Sequence, residues 1–441
     1  MEQNMTILLL IFSSIVAAIS IFQPAGYIKA PALMALVFAA WFAPQLFSAG
    51  QISTIPQDAV FDVGMLALFC ILAVFFGWWR GVATPIRTPS KRIIINVDAL
   101  IAPVALLTIF TTVMNIYLNQ MRGSEAGQVS QWTGPITIVA FFAGLRTIPL
   151  VFSLLMVMHK RTPLTLTLAV ANLAVTIPVA LIYLRRSEMV DLGIAILGAL
   201  WFARRIRIAP LYIVAGAVLF AVVVFTIGPL RSAQNTHESQ TGQNVSIINP
   251  ILWKNIDVGK AVATSIDKSP DVQNAVYRTK YLNDYGGFSY GATVWNKFVL
   301  SFIPGQILGK DFKVGLLIAS SGIAAEDIYY RYNFEYQTGT TSTGVGSAYA
   351  DFGYLGFFYY LLVGYIMARI YRVAMRGDPW FQTAYLAILP FCLTMITHGH
   401  DLFFVNLALV TAVLFALKKI SQRKSPPRYS RRRTRLSKAS Q

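Results

Sequence analysis

The chain is poor in charge, and that scarcity decides its class. Asp, Glu, Lys and Arg make up 13% of its 441 residues, against about a quarter in soluble globular proteins. Hydrophobic residues reach 56%, with a mean hydropathy of +0.57. A surface of that composition is unsuited to water and matched to lipid. Only two cysteines occur, Cys70 and Cys392, each inside an apolar stretch, which argues against a disulfide framework. There is no CxxC, no HExxH, no P-loop and no GxGxxG opening a helix after a strand. No metal centre and no cofactor are therefore expected. Met1-Glu2-Gln3-Asn4 lacks a basic n-region, so the first apolar stretch is expected to remain as an anchor helix.

Apolar runs fill much of the chain. A spanning helix needs about 20 mostly apolar residues, and candidates lie near 5–22, 28–47, 61–79, 97–118, 135–158, 164–184, 189–203, 208–228, 347–370, 381–398 and 402–418. The expected class is an all-α polytopic integral membrane protein of about 11 transmembrane helices. The weakest span is 189–203, short and carrying Asp191. The chain divides into helices 1–8 over 1–228, a large loop over 229–346, helices 9–11 over 347–418 and a basic tail over 419–441.

The net charge of +18 is concentrated: ten Lys/Arg and no acid lie in 418–441. Placed directly after an apolar helix, such a tail is expected to orient the chain and touch anionic lipid rather than nucleic acid. Alternate connections carry 23 basic residues on one side and 3 on the other. The positive-inside rule then puts the C-terminus in the cytoplasm and the 229–346 loop outside. That loop holds ten basic and nine acidic residues, many tyrosines, and two apolar or amphipathic parts, Val294–Ile303 and Val314–Ala325. The second is too short to span and suits an interfacial or re-entrant segment.

Candidate chemistry sits in four places. Arg146, eleven residues beyond Pro135, lies near mid-membrane, where a cation is costly and commonly functional. The alternatives are two half-spans meeting at Gly144-Leu145-Arg146, or a structural pairing with Asp98 or Asp191. His398-Gly399-His400-Asp401, at the junction of the last two helices, offers a base near neutral pH; a polar helix cap is the plainer reading. In the loop, Arg278, Lys280 and Arg331 lie among aromatic residues suited to sugar rings or, equally, to the membrane interface. Finally, Thr340 to Gly356 carries Thr/Ser capping groups and a small-residue face (Gly346, Ser347, Ala348, Ala350, Gly353, Gly356) fitted for close helix packing.

The many helices, the long late loop and the Tyr349-Ala350-Asp351-Phe352-Gly353-Tyr354-Leu355-Gly356 segment after Thr/Ser-Gly together resemble bacterial repeat-unit polymerases of the O-antigen and exopolysaccharide type. Phe302-Ile303-Pro304-Gly305 is similar to a family Ile-Pro-Arg segment, with Gly305 where Arg is often found. The resemblance implies transfer of a glycan from undecaprenyl pyrophosphate to a lipid-linked repeat unit at the periplasmic face, in company with flippase and chain-length regulator proteins. It implies a metal-independent glycosyltransferase. Arg146, helped by Arg278 or Arg331, would then hold pyrophosphate; His398 or His400 would be the base, oriented by Asp401; Asp351 or Glu326 is the fallback. A lipid-linked oligosaccharide flippase and an O-antigen ligase are the rival readings.

Overall fold

The computed structural model describes residues 2–85, 97–124, 135–181, 186–206, 270–318, 325–336 and 340–423, with a few single positions between 209 and 259. Most of the expected 208–228 span, the first part of the loop and the tail beyond 423 lie outside the described residues. Among those residues the fold is entirely helical: α1 (Glu2–Phe22), α2 (Ala30–Val37), α3 (Ala43–Gln51), α4 (Gln57–Ala83), α5 (Val97–Ser124), α6 (Pro135–Ala143), α7 (Thr147–His159), α8 (Pro163–Leu181) and α9 (Arg186–Arg204). After the gap come α10 (Pro270–Tyr285), α11 (Ala292–Phe302), α12 (Ala325–Tyr332), α13 (Thr343–Phe352), α14 (Phe357–Ala374), α15 (Pro379–Thr397) and α16 (Asp401–Arg423).

Eight described segments are long and apolar enough to cross a membrane: Asn4–Phe22, Ala30–Gln51, Gln57–Ala83, Val97–Leu118, Ile138–His159, Thr343–Ala374, Pro379–Thr397 and Asp401–Ser421. The 189–203 stretch is helical within α9 but, with its acids, is not among them. The exposed apolar side chains follow the helical repeat. On α1, Ile7, Ile11, Ile15 and Ile19 form one outward stripe, and on α5 so do Leu106, Ile109, Val113 and Ile116. Spacings of three and four place them on one face, which lipid would solvate.

Among the described helices the most extensive packing is that of the parallel pair α4 and α14. Gly77 and Gly81 on α4 face Leu361 and Tyr365, while Gly364 faces the Val74 backbone. A Cβ at Gly77 would lie 2.1 Å from the Leu361 carbonyl oxygen and one at Gly364 2.2 Å from that of Val74. The helices touch backbone to backbone, the packing that small residues allow in membranes.

That pair defines two ends. At one, the α4 C-terminus is held by Arg372 and Arg369 donating to the Thr84 carbonyl, Arg205 donates to the Met375 carbonyl at 2.8 Å, and Lys160 pairs with Asp98 at 2.7 Å. This end gathers the basic residues. At the other, about 40 Å along α4 by helical rise, Lys280 of α10 pairs with Asp58 at 2.8 Å. There Asn283 donates to Asp62 at 2.6 Å and Tyr277 to the Thr54 carbonyl at 3.1 Å. Helix α10 buries Val272, Ala275, Val276 and Leu282 beneath it. The late loop thus straps the end remote from the basic residues.

Candidate active site

The α15–α16 turn and α13 meet under α10. Ser347 and Asp351 stand four residues apart and so share one face of α13, and a single imidazole bridges them. His400 Nε2 lies 3.0 Å from Asp351 Oδ2, and Nδ1 lies 3.0 Å from Ser347 Oγ. With the carboxylate ionised, Nε2–H donates to Asp351 and Nδ1 accepts from Ser347. Asp351 also accepts from Ser289 and Thr293 at 2.6 Å each, and from the Tyr359 hydroxyl at 2.8 Å. The Tyr359 ring packs on the imidazole at 4.1 Å. His400 and Asp351 are both wholly buried. The carboxylate on the imidazole is therefore Asp351 and not the expected Asp401, which lies beside Gly399 at the start of α16.

His398 points away from this cluster. It is exposed, and its Nδ1 contacts Thr397 Oγ1 at 2.7 Å. The surrounding protein pushes its pKa below the ordinary histidine value, while Asp271 opposes that shift. Thr341 ties the turn to the loop by donating to the Thr397 carbonyl at 2.6 Å. Its backbone N–H donates to Asp271 at 2.6 Å. Thr343, first in α13, has a φ of +56°, a backbone that a β-branched residue adopts only under strain.

Arg278 is coupled by charge to this cluster, through Asp351 and Asp401. One Nη donates to Ser342 Oγ at 2.9 Å, and its buried Nε has no partner. Among the described residues no carboxylate ion-pairs with it. Burial pushes its pKa down, with Tyr336, Asp351 and Asp401 opposing. The other loop cations differ. Lys280 is held by Asp58 and by Asp284, the latter at 3.0 Å, and Arg331 is exposed with its guanidinium 4.2 Å over the Tyr285 ring. Glu326 starts α12, exposed.

Arg146 belongs to a second centre. The helix runs on through this point: α6 passes at Ala143 into a 3-10 turn, Gly144–Arg146, flanked by right-handed helical backbone, and on into α7. Ile138–His159 is therefore one apolar segment and not two half-spans. Arg146 is 6% exposed. It donates to Asn115 Oδ1 at 2.8 Å and forms an ion pair with Glu188 of α9. Neither pairing expected from sequence is the one found. Asp98 is taken by Lys160 at the basic end, and Asp191 lies nearby without forming the ion pair. Arg146 is fourteen residues from Lys160, about 21 Å at helical rise and so roughly half the length of α4, which puts it near the middle of the bundle. A cavity of about 260 Å³ opens beside it, lined by Thr147, Glu188 and Asp191, by Thr394 and Phe391 of α15, and by Asn406 of α16. Thr394 is one helical turn from Thr397, so the cavity lies just beneath the α15–α16 turn.

Sequence reasoning missed Ser347 as an imidazole partner, Ser289, Thr293 and Tyr359 as supports of Asp351, and Glu188 as the counter-ion. The Ser347-x-x-x-Asp351 spacing was the available signal for the first. Among the described residues no group of three or more His, Cys, Asp or Glu is arranged to hold a metal ion. No protein-family model matches the chain, no curated protein matches it, and no solved structure matches its fold.

Proposed function

We propose that this chain is a membrane glycosyltransferase that lengthens a glycan carried on undecaprenyl pyrophosphate, working at the extracytoplasmic face of the bacterial inner membrane with its C-terminus in the cytoplasm. One observation carries the reading. At the end of the bundle remote from the basic residues, a half-buried guanidinium with an unpartnered Nε, Arg278, donates to Ser342 and is coupled by charge to the buried Asp351. By the positive-inside rule, the basic end faces the cytoplasm and this end faces out, where lipid-linked sugars would meet it.

The chemistry asks for little more. Diphosphate is a good leaving group, and a desolvated guanidinium stabilises the charge it gathers on departure. Donor and acceptor both ride on lipid, so orientation in the membrane plane supplies much of the acceleration. Arg278 suits the diphosphate better than Arg146, whose charge Glu188 already balances. Stacking faces for sugars are available on α10, α12 and the turn before α11, where Tyr285, Tyr329, Tyr330 and Tyr290 are exposed. The Asp351–His400–Ser347 relay holds the α15–α16 turn in place over the cavity. Flippase and chain-length regulator proteins would be its working partners, together with membrane lipid.

The test is reconstitution. Full-length protein in vesicles, given an undecaprenyl-pyrophosphate-linked repeat unit, is expected to yield a ladder of longer glycans, and Arg278→Ala to leave single units. Translocation of the unit without lengthening would instead identify a flippase, and transfer to a lipid A core would identify a ligase.

A further inference from the structure

The cavity beside Arg146 has a lining that an anion site would not have. Its one cation is ion-paired with Glu188, and Asp191 adds a second carboxylate three residues on, on the same face of α9. Burial, and then the neighbouring Glu188 carboxylate, push the Asp191 pKa up to about 8, so near neutral pH the lining is close to net neutral and has no surplus cation to hold phosphate. It keeps an unpartnered buried donor, the Nε of Arg146. Thr147, Thr394 and Asn406 supply neutral donors and acceptors, and Phe141 and Phe391 supply apolar walls. A volume of about 260 Å³ falls below the roughly 300 Å³ at which pockets for drug-sized ligands begin, so the occupant is about one ring in size.

We infer that this cavity receives the terminal sugar ring of the acceptor glycan, with Asp191 as the general base for its attacking hydroxyl. The inference rests on the glycosyl-transfer reading and specifies its acceptor side. Carboxylates accept hydrogen bonds from sugar hydroxyls, the guanidinium Nε–H donates to one, and the two phenyl groups cover the apolar faces of the ring. In the transfer step the acceptor hydroxyl oxygen attacks the donor's anomeric carbon while its proton passes to Asp191. The bond from that carbon to the diphosphate oxygen breaks, and the electron pair leaves with the diphosphate. Asp191 suits the base role better than His400: His400 has both ring nitrogens engaged and is wholly buried, whereas Asp191 opens on the cavity and Glu188 carries the ion pair to Arg146.

The experiment measures thermal unfolding of the detergent-solubilised full-length chain with millimolar D-glucose, D-galactose, D-mannose, N-acetylglucosamine or inorganic pyrophosphate. It is repeated for Asp191→Asn and for Asn406→Ala, which lines the cavity from another helix without touching the ion pair. At least one sugar is expected to raise the melting temperature of the parent chain, with affinity about tenfold or more weaker in each variant. Chain extension by Asp191→Asn is expected to fall by about 10²- to 10⁴-fold. No shift with any sugar overturns the inference, as does a shift that both variants retain or a shift produced by pyrophosphate alone. A sugar shift that both variants lose, in a parent chain that never lengthens glycan, keeps the cavity as a sugar site and defeats the polymerase reading instead.

Discussion

Two buried polar clusters lie close together in this bundle, and they are built on opposite principles. Around His400 every strong group is engaged: the imidazole by Asp351 and Ser347, the carboxylate by three hydroxyls, and the ring by Tyr359. Around Arg146 the guanidinium is paired with Glu188 but Asp191 is left over and the space is not filled, so a polar-lined cavity remains. A saturated network in a low-dielectric interior fixes geometry. An unfilled one leaves donors and acceptors for a ligand. Chemistry-bearing residue types alone would favour the histidine cluster; the arrangement of free valences favours the arginine cluster for binding and the histidine cluster for support.

The largest expected effect tests the pairing at Arg146. Glu188→Ala strands a buried guanidinium and is expected to cost about 3–5 kcal/mol of stability. Glu188→Ala combined with Arg146→Ala should recover part of that loss, as read by denaturant unfolding in a double-mutant cycle. A fully additive cycle would break the comparison at its stronger side. Next, His400→Ala removes the imidazole from a buried carboxylate that keeps three hydroxyl donors, with an expected cost of about 1.5–3 kcal/mol. Ser347→Ala deletes only a neutral hydroxyl and is expected to cost about 0.5–1.5 kcal/mol. If both relay substitutions left stability unchanged while abolishing chain extension, the relay would be chemistry and not support. The smallest effect concerns pH at the strap. The hydrogen bond from Tyr332 first, and then Lys280, holds Asp284 below the usual carboxylate range. Its contribution is therefore present above the unfolded value of about 3.9 and fades as pH falls through the folded one. Tyr332→Phe is expected to flatten that acid limb in melting curves recorded between about pH 3 and 7.

Much of the architecture was legible because lipid imposes a one-dimensional rule: long apolar runs must be helices. The runs near 5–22, 61–79, 97–118 and 381–398 correspond to α1, α4, α5 and α15 within a few residues. What sequence could not supply was neighbours across the bundle. Arg146 was recognisable as an anomaly, yet its partner depended on α9 delivering Glu188, at the very start of that helix, rather than Asp191 one turn later. Likewise His400 and Asp401 are adjacent in sequence, but the imidazole turns toward Asp351 because α13 packs against the junction. The Gly77-x-x-x-Gly81 spacing on α4 was a legible packing signal that hydropathy alone passes over.

On the proposed function, the end of the bundle bearing Arg278, His400 and the cavity faces out of the cell. Tyr290, 74% exposed on the strap side, and Gly377, in the turn between α14 and α15 at the basic end, give one reporter for each face. The native Cys70 and Cys392 are both buried and should stay silent. In intact spheroplasts a membrane-impermeant maleimide is expected to label Tyr290→Cys at once and Gly377→Cys only after permeabilisation. The reverse pattern would contradict the account, because the cavity and Arg278 would then open toward the cytoplasm, away from any periplasmic glycan.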